Sequence, residues 1–290
     1  IIFGGIHRVA KFSSAVVPAM AVVYLVVAVG VVIWNISLLP SVLMTIIKNA
    51  FGIDQAAGGV LGVTIMQGIK RGLFSNEAGE GSAPNAAAVA TVSHPVKQGL
   101  IQALGVFTDT LVVCTCTAFI ILMSGVDITA ANGIQLTQDA LTHEIGSLGN
   151  PFMAIMIWCF AFSSIIGNYY YGEANIRYIS KSRWSLLAYR LAVGGMVMLG
   201  AMVTLDMAWG MADITMALLT LCNLAAILML SHQAVFLLED YRRQKKAGRD
   251  PVFDPNTMPV IAKQLEGWQS PENHQALPAD GGRGISPADF

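Results

Sequence analysis

The amino-acid sequence predicts an all-α membrane protein with about six transmembrane helices, one of them discontinuous. Hydrophobic residues make up 54% of its 290 residues and charged residues only 12%, whereas soluble domains carry about 25% charged residues. The apolar residues fall into blocks of about 20, the length that crosses a bilayer. One block runs into residues 67–84, which contain four glycines, a proline and four charged side chains. A regular membrane helix does not tolerate this density of helix breakers and charge.

The predicted elements follow from where the apolar blocks begin and end. Residues 38–52 are amphipathic and too short to cross a bilayer, so we expect them to lie along the membrane surface. Residues 126–150 are predicted to form a polar loop. Residues 1–244 are predicted to be the membrane domain, and the polar residues 245–290 a tail with little fixed structure. The predicted spans are residues 14–35, 56–73, 98–125, 151–171, 191–205 and 211–230.

The cations indicate the orientation of the chain. With six alternating spans, all of the 17 lysines and arginines except Lys48 fall on one side, and positively charged loops stay in the cytoplasm. We therefore expect both ends to be cytoplasmic and the protein to lie in the plasma membrane. Asp206 and Asp213 are expected at the opposite surface. Because residue 1 adjoins an apolar segment, we also expect the chain to be the C-terminal part of a longer protein.

The sequence does not predict an enzyme. The five histidines lie in loops or at the ends of predicted helices and form no metal or catalytic pattern. The four cysteines lie inside apolar blocks with a spacing unlike that of zinc sites, so we expect buried thiols and no cofactor. Residues 79–84 begin as Gly-x-Gly but lack the third glycine and the preceding strand of a nucleotide-binding loop. We expect a lipid bilayer around the protein and no nucleic-acid partner.

The strongest candidate site is the break in the second span, which we expect between Gly68 and Gly81. A broken helix frees backbone N–H and C=O groups, which can bind the charged ends of an amino acid. Half-helix N-termini favour a carboxylate, and half-helix C-termini favour a cation. The alternative is a tight cytoplasmic turn in which Lys70 and Arg71 mark the membrane interface.

A second candidate is Asp109, about 11 residues into the third predicted span. A carboxylate at that depth is costly unless it is paired or solvated, and it commonly marks an ion or proton path. Its oxygen atoms would suit Na⁺. Asp109 could equally be a structural partner for Arg71 or another cation.

A third candidate lies in the fourth predicted span. Ser163 and Ser164, with the carbonyl of Phe160 three residues earlier, could supply oxygen atoms to one Na⁺ ion, and Asn168 follows about one turn later. The alternative is that the serine hydroxyls bond back to their own helix, as they often do in membrane spans.

Residues 68–84 resemble a long and distinctive motif of the sodium:alanine symporter family, whose members are also called alanine or glycine:cation symporters. The resemblance continues through residues 107–115, 160–173 and 240–255, and it covers nearly everything up to residue 255. It implies a fold of two inverted five-helix repeats, shared with the neurotransmitter:sodium symporters. This chain would hold the last helix of the first repeat and the five helices of the second.

The function implied by the resemblance is Na⁺-coupled uptake of alanine or glycine by alternating access, with the missing N-terminal half of the protein completing the site. Na⁺ binding would order the broken helix and raise the affinity for the amino acid, and this linkage is reciprocal. The alternatives are an H⁺-coupled carrier with Asp109 as the proton site and, from a different class, an ion channel.

The resemblance also implies roles for single residues. Some members carry Trp at the position of Asn168, which is expected to touch the substrate. The residues expected to line the substrate site are Gly72, Phe74, Ser75, Asn76 and Asn168. The residues expected to bind Na⁺ are Asp109, Phe160, Ser163 and Ser164.

Overall fold

The structure is a computed structural model that describes residues 5–51, 58–128 and 133–258. For residues 5–11 and 58–64 it describes the backbone alone. All regular structure in these residues is helical, and a π-helical turn, Asp109–Cys114, joins α5 to α6. The α-helices are α1 (Gly5–Trp34), α2 (Leu39–Ala50), α3 (Gly58–Ser75), α4 (Ala83–Ala87), α5 (Pro95–Thr108), α6 (Thr115–Met123), α7 (Ile134–Ile145), α8 (Gly149–Ile179), α9 (Arg183–Met202) and α10 (Leu205–Lys246).

Five stretches of the described chain are long and apolar enough to cross a membrane. Each of them overlaps one predicted span, so the prediction of an all-α membrane protein is confirmed. Helix α3 is not among the five, because its five glycines and two adjacent cations lower its hydropathy. A sixth span therefore stays a prediction. The five stretches are Phe12–Trp34, Pro95–Met123, Ile134–Ile179, Arg183–Met202 and Leu205–Lys246.

Helix α2 confirms the short amphipathic helix predicted after the first span. A 3₁₀ turn, Ile36–Leu38, leads into it, and Pro40 occupies its first turn, where the missing N–H of proline costs no hydrogen bond. Only Val42 of this helix is buried. Its position along the membrane surface stays a prediction.

The chain divides into two compact units, residues 1–89 with 102–226 and residues 90–101 with 227–290. The core of the first unit lies where α1, α6, α7 and α8 meet. The buried residues of α1 recur every three or four positions, so they form one stripe along the helix. Within this unit the hydroxyls of Tyr24 and Thr117 lie 2.6 Å apart. The buried core residues are Met20, Tyr24, Ala28, Val31, Ile120, Ala140, Leu141, Met153 and Met156.

Helix α7 shows that the prediction of a polar loop over residues 126–150 is wrong. Thr137, Ala140 and Leu141 are buried, and their spacing of three and four residues places them on one face of a helix. That face packs into the core while the polar remainder of the helix points outward. The turn to α8 is tight: a Cβ on Gly149 would lie 2.6 Å from the backbone nitrogen of Thr142, so only glycine fits there.

Helices α9 and α10 expose most of their apolar side chains. No residue of α9 is buried, and the one buried residue of α10 is Asp240. Leu191, Met198 and Leu228 are each more than two-thirds exposed. Apolar surface on this scale is unusual on a monomeric soluble protein and suits contact with lipid or with further membrane helices.

The second unit contains a return segment, residues 250–258, which follows α10 and folds back beside the start of α5. The amide N–H of Phe253 donates to the carbonyl of Ser93 at 2.9 Å, and the ammonium of Lys97 lies 2.7 Å from the carboxylate of Asp250. Gln244 donates to the carbonyl of Val252 and accepts from its N–H. The return segment therefore has fixed contacts, unlike the tail with little fixed structure that was predicted for residues 245–290. Residues 259–290 lie outside the described residues.

His94 lies at the centre of the second unit and is completely buried. The centroids of the Tyr241 and Phe253 rings lie 5.3 and 6.0 Å from the centroid of its imidazole. Its Nδ1 accepts a hydrogen bond from the N–H of Val96 at the start of α5, which places the proton of the neutral ring on Nε2. Nε2 lies 3.5 Å from Oδ2 of Asp240, without the geometry of a hydrogen bond. Burial lowers the pKa of His94 below its usual value, although the carboxylate of Asp240 opposes that shift.

Candidate functional site

The break that was predicted between Gly68 and Gly81 begins later than expected. Helix α3 continues without interruption to Ser75, and the irregular backbone extends from Asn76 to Ser82. The prediction of a break that starts near Gly68 is therefore wrong for residues 68–75, which are helical. A glycine inside a helix costs only about 1 kcal/mol relative to alanine, so Gly68 and Gly72 weaken α3 without ending it.

The end of α3 is capped by its own chain. The backbone N–H and the side-chain amide of Asn76 both donate to the carbonyl of Gly72, at 3.2 and 2.9 Å. The N–H groups of Glu77 and Ala78 donate to the next two carbonyls, those of Phe74 and Leu73. These three carbonyls, which were expected to be free for a ligand, already have partners.

The backbone conformation of the break requires glycine. Glu77, Gly79 and Gly81 have φ values of 49°, 78° and 98°, and side chains other than glycine adopt this region reluctantly. The amide of Asn223 on α10 donates to the carbonyl of Gly79 at 2.9 Å. A Cβ on Gly81 would lie 3.0 Å from the side chain of Asn223. The break is thus hydrogen-bonded to α10 at a point where a Cβ in place of Gly81 would crowd Asn223.

The two cations of α3 share one carboxylate of α10. The ammonium of Lys70 lies 2.5 Å from one oxygen of Asp213, and the guanidinium of Arg71 lies 3.5 Å from the other. Asp213 therefore cannot lie on the membrane face opposite to these cations. The prediction that placed Asp213 at the opposite surface from Lys70 and Arg71 is wrong. The pairing also bears on Asp109, which was considered as a structural partner for Arg71. The structure gives that place to Asp213. Charges within membrane helices normally find such partners.

Phe74 and Arg71 share a partner at the start of α10. The Phe74 ring meets the ring of Trp209 edge-on at a centroid distance of 5.2 Å. The guanidinium carbon of Arg71 lies 4.0 Å from the centroid of the same indole, a cation–π distance. Phe74 is thus placed against α10, away from the polar side chains around Asp109.

Four polar side chains meet where α3 ends and the π-helical turn begins. The hydroxyl of Ser75 donates to the carboxylate of Asp109 at 3.0 Å, and the hydroxyl of Thr110 donates to the side-chain oxygen of Asn76 at 2.7 Å. π-Helical turns inside α-helices occur frequently at functional sites. A cleft of about 300 Å³ opens beside them, at the small end of the range for ligand pockets. It is lined by Ser75, Asn76, Glu77, Gln102, Val106 and Asp109.

The predicted Na⁺ residues on α8 form a separate group. The hydroxyl of Ser163 donates to the carbonyl of Phe160 at 2.9 Å, which is the back-bonded alternative considered above. Ser164 and Asn168 are exposed. In the part of the chain that the structure describes, no hydrogen bond joins these residues to Asp109 or to the end of α3. Ser75, Asn76 and Asp109 are brought together, and the α8 residues are not joined to them.

Comparison with known proteins gives the family. Residues 1–255 match the family described as the sodium:alanine symporter family. The chain belongs to this family. Membership confirms the resemblance seen in the sequence, and it makes this a multi-pass protein of a family of transporters rather than enzymes.

Three relatives illustrate the range of the sodium:alanine symporter family. A Bacillus subtilis protein named "Probable sodium/glutamine symporter GlnT" is 55% identical over 254 residues, covering 87% of this chain and 53% of the relative. The amino-acid carrier protein AlsT of the same organism is 51% identical, and the match covers 93% of this chain and 57% of AlsT. A sodium/proton-dependent alanine carrier protein of Bacillus sp. PS3 is 38% identical, and the match covers 93% of this chain and 64% of the relative. The chain spans about half the length of the first two of these curated relatives.

Several residues of the site were missed in the sequence. Asn223 is an amide within the apolar stretch of α10 and received no role, and Asp213, a carboxylate in the same helix, was assigned to the opposite surface. A polar residue inside a span is by default a candidate for function, so this rule could have found both. Thr110 was part of the sequence around Asp109 but received no role. Nothing in the sequence indicated that Trp209 would pack on α3.

Proposed function

We propose that this chain forms the second half, together with the last helix of the first half, of an inverted-repeat symporter that carries alanine with Na⁺ by alternating access. On this proposal six helices cross the plasma membrane, the sixth being the discontinuous pair α3 and α4, and both ends are cytoplasmic. The observation that carries the proposal is the meeting of Ser75 and Asn76 at the end of α3 with Asp109 and Thr110 of the π-helical turn. Membership of the sodium:alanine symporter family supports it.

The substrate part of the proposal rests on the cleft at the end of α3. A cation is favoured at a helix C-terminus, so the ammonium group of alanine suits this end of the break. Ser75 and Asn76 offer a hydroxyl and an amide at the cleft, and Gly72 and Phe74 precede them on the last turn of α3. Asn168 of α8, which is exposed, would contact the side chain of the substrate.

The Na⁺ part of the proposal uses two groups of oxygen atoms. Asp109 supplies a half-exposed carboxylate next to the Ser75 hydroxyl. On α8 the oxygen atoms of the Ser163 hydroxyl and the Phe160 carbonyl already lie 2.9 Å apart. Rotation of the hydroxyl proton away from the carbonyl would leave both oxygens able to coordinate one ion, with Ser164 beside them. Hard cations select such ligands. The membrane potential would contribute about 2.3 kcal/mol per charge per 100 mV to inward transport.

Glutamine is a second candidate substrate. GlnT is named a probable sodium/glutamine symporter and is 55% identical to this chain over 254 residues. Asn168 is also much smaller than the Trp that some family members carry at this position, and a smaller side chain leaves room for a longer substrate. An H⁺-coupled carrier is the alternative coupling, since the relative from Bacillus sp. PS3 is named sodium/proton-dependent. A channel is the alternative from another class.

Uptake into proteoliposomes tests these readings. Labelled alanine should accumulate against its gradient when Na⁺ is outside, and replacement of Na⁺ by choline should abolish this accumulation. Competition with unlabelled glutamine and glycine ranks the substrates by affinity. An Asn168→Trp variant should weaken the binding of glutamine more than the binding of alanine. Accumulation that persists in choline and follows a proton gradient would favour H⁺ coupling. Flux that neither saturates nor runs uphill would indicate a channel.

A further inference from the structure

Glu80 is a buried carboxyl for which the proposed symport has no use. It lies in the break, between Gly79 and Gly81, and only 5% of its surface is exposed. Its Oε2 atom is buried and has no hydrogen-bond partner among the described residues. A carboxylate oxygen in that position loses its hydration without compensation, which costs several kcal/mol for a charge and much less for a neutral acid. Its surroundings therefore favour the protonated form.

A neighbouring carboxyl of the same segment is in the opposite situation. Glu77 lies three residues earlier, and its Oε2 accepts a hydrogen bond of 2.6 Å from the hydroxyl of Ser82. Glu77 also lies half-exposed at the cleft. One carboxylate is thus hydrogen-bonded and partly hydrated while the other is enclosed, and environments that differ in this way separate the protonation states of two acids.

Among the described residues, the charge that acts on Glu80 is the negative charge of Glu77, and no cation pairs with it. Helix α10 presents the neutral amide of Asn223 and the apolar side chain of Leu224 to this part of the break. Helix α8 presents Tyr171, which interacts with the charge of Glu77.

We propose that Glu80 is a proton-binding site of the break, protonated while the break is fastened to α10 and able to release its proton to water when the break moves away from Asn223. This site is distinct from Asp109 and from the serines of α8. As a protonation site it stands on the geometry of Glu80 alone. Its part in transport rests on the proposed function, to which it adds a proton as a second cation that influences the cycle.

Infrared difference spectroscopy of the protein in liposomes during a pH titration tests the protonation directly. The wild type should show the C=O band of a protonated carboxylic acid, which disappears as the pH rises. Glu80→Gln should lose this band, and Glu77→Gln should keep it. A titrating band that survives in Glu80→Gln, or a wild type in which no such band titrates, would overturn the proposal.

Two further measurements separate this proposal from the proposed function. The wild type should lose thermal stability as the pH rises and the buried, unpartnered carboxyl of Glu80 has to give up its proton. Glu80→Gln should lack this component because its amide does not ionise. Na⁺-driven uptake should depend on pH in the wild type, and that dependence should flatten in Glu80→Gln. Absence of any Na⁺-driven uptake together with loss of the infrared band in Glu80→Gln would reject the transport function and leave the proton site intact. Identical pH profiles of uptake in both proteins would reject the role in transport.

Discussion

The hydroxyl of Ser75 donates to the carboxylate of Asp109 across 3.0 Å. The bond joins the last residue of α3 to the first residue of the π-helical turn, two elements that are 34 residues apart in the sequence. A rearrangement at either end must break or carry this bond. We therefore expect the proposed Na⁺ ligand, Asp109, and the end of the broken helix, Ser75, to move together.

Asp109→Asn should weaken Na⁺ binding while leaving the protein folded. A charge-assisted contact contributes about 1.5–3 kcal/mol, so the Na⁺ concentration for half-maximal uptake should rise by about 10- to 100-fold. Thr110→Val is the matched control, because it removes the neighbouring hydrogen bond to Asn76 without removing a charge. Unchanged Na⁺ affinity in Asp109→Asn would limit this carboxylate to a structural role.

Gly81→Ala should destabilise the first unit. Gly81 has φ of 98°, and an added Cβ would lie 3.0 Å from Asn223, so the variant combines backbone strain of about 1–3 kcal/mol with a steric conflict. Gly68→Ala is the control, because Gly68 is inside α3 with open space around it and alanine is favoured there by up to about 1 kcal/mol. Thermal unfolding in detergent should show a lower midpoint for Gly81→Ala only. Equal midpoints would mean that the break is not held against α10.

Phe253→Ala should release the return segment. The ring of Phe253 is 2% exposed, and truncation of a buried Phe costs about 3–5 kcal/mol. Asp250→Ala removes an ion pair whose carboxylate side chain is 76% exposed, and such pairs contribute about 0–1 kcal/mol. Hydrogen exchange of the residue 253 amide, which donates to Ser93, should accelerate strongly in Phe253→Ala and little in Asp250→Ala. Faster exchange in Asp250→Ala than in Phe253→Ala would mean that the ion pair, rather than the buried ring, holds the return segment in place.

Acidification should loosen the same segment through His94. Burial lowers its pKa in the folded protein, so the neutral ring is favoured there and protonation is easier in the unfolded chain. The stability that depends on neutral His94 is complete above its unfolded pKa of about 6.5 and is lost as the pH falls below that value toward the folded pKa. Asp240 opposes the loss by attracting the imidazolium, and Lys97 adds to it.

The measurement is again amide exchange at Phe253, now as a function of pH and corrected for the intrinsic rate. Protection should decrease below about pH 6.5 in the wild type. His94→Gln, which keeps a polar side chain that does not titrate, should remove this decrease. A wild type whose protection is constant down to acidic pH would contradict the expected effect of His94.

The sequence was most informative where hydropathy alone decides the structure. The first predicted span, residues 14–35, ends one residue beyond the end of α1, Gly5–Trp34, because a long apolar block in lipid has no alternative to a helix. The helix begins nine residues earlier than the predicted span. The position of the break was less accessible. Gly68, Gly72, Gly79 and Gly81 look alike in the sequence, but only the last two have positive φ.

The remaining errors concern contacts between distant residues. Lys70 and Arg71 were assigned to a membrane face by their charge, although their partner, Asp213, lies more than 140 residues away. The π-helical turn at Asp109 is a shift in the hydrogen bonds of the backbone, which hydropathy does not record. The helix α7 was overlooked because three buried positions, spaced three and one apart, are a weak pattern among polar residues.

The position of Trp209 has an experimental use. Its indole touches both Arg71 and Phe74 within the last two turns of α3, so its fluorescence should depend on whether the cation and the ring stay in place. A protein in which Trp209 is the only emitter would report in real time how the end of α3 shifts against α10 when Na⁺ or an amino acid is added. The chain has five tryptophans, and the four to be replaced by Phe are Trp34, Trp158, Trp184 and Trp268.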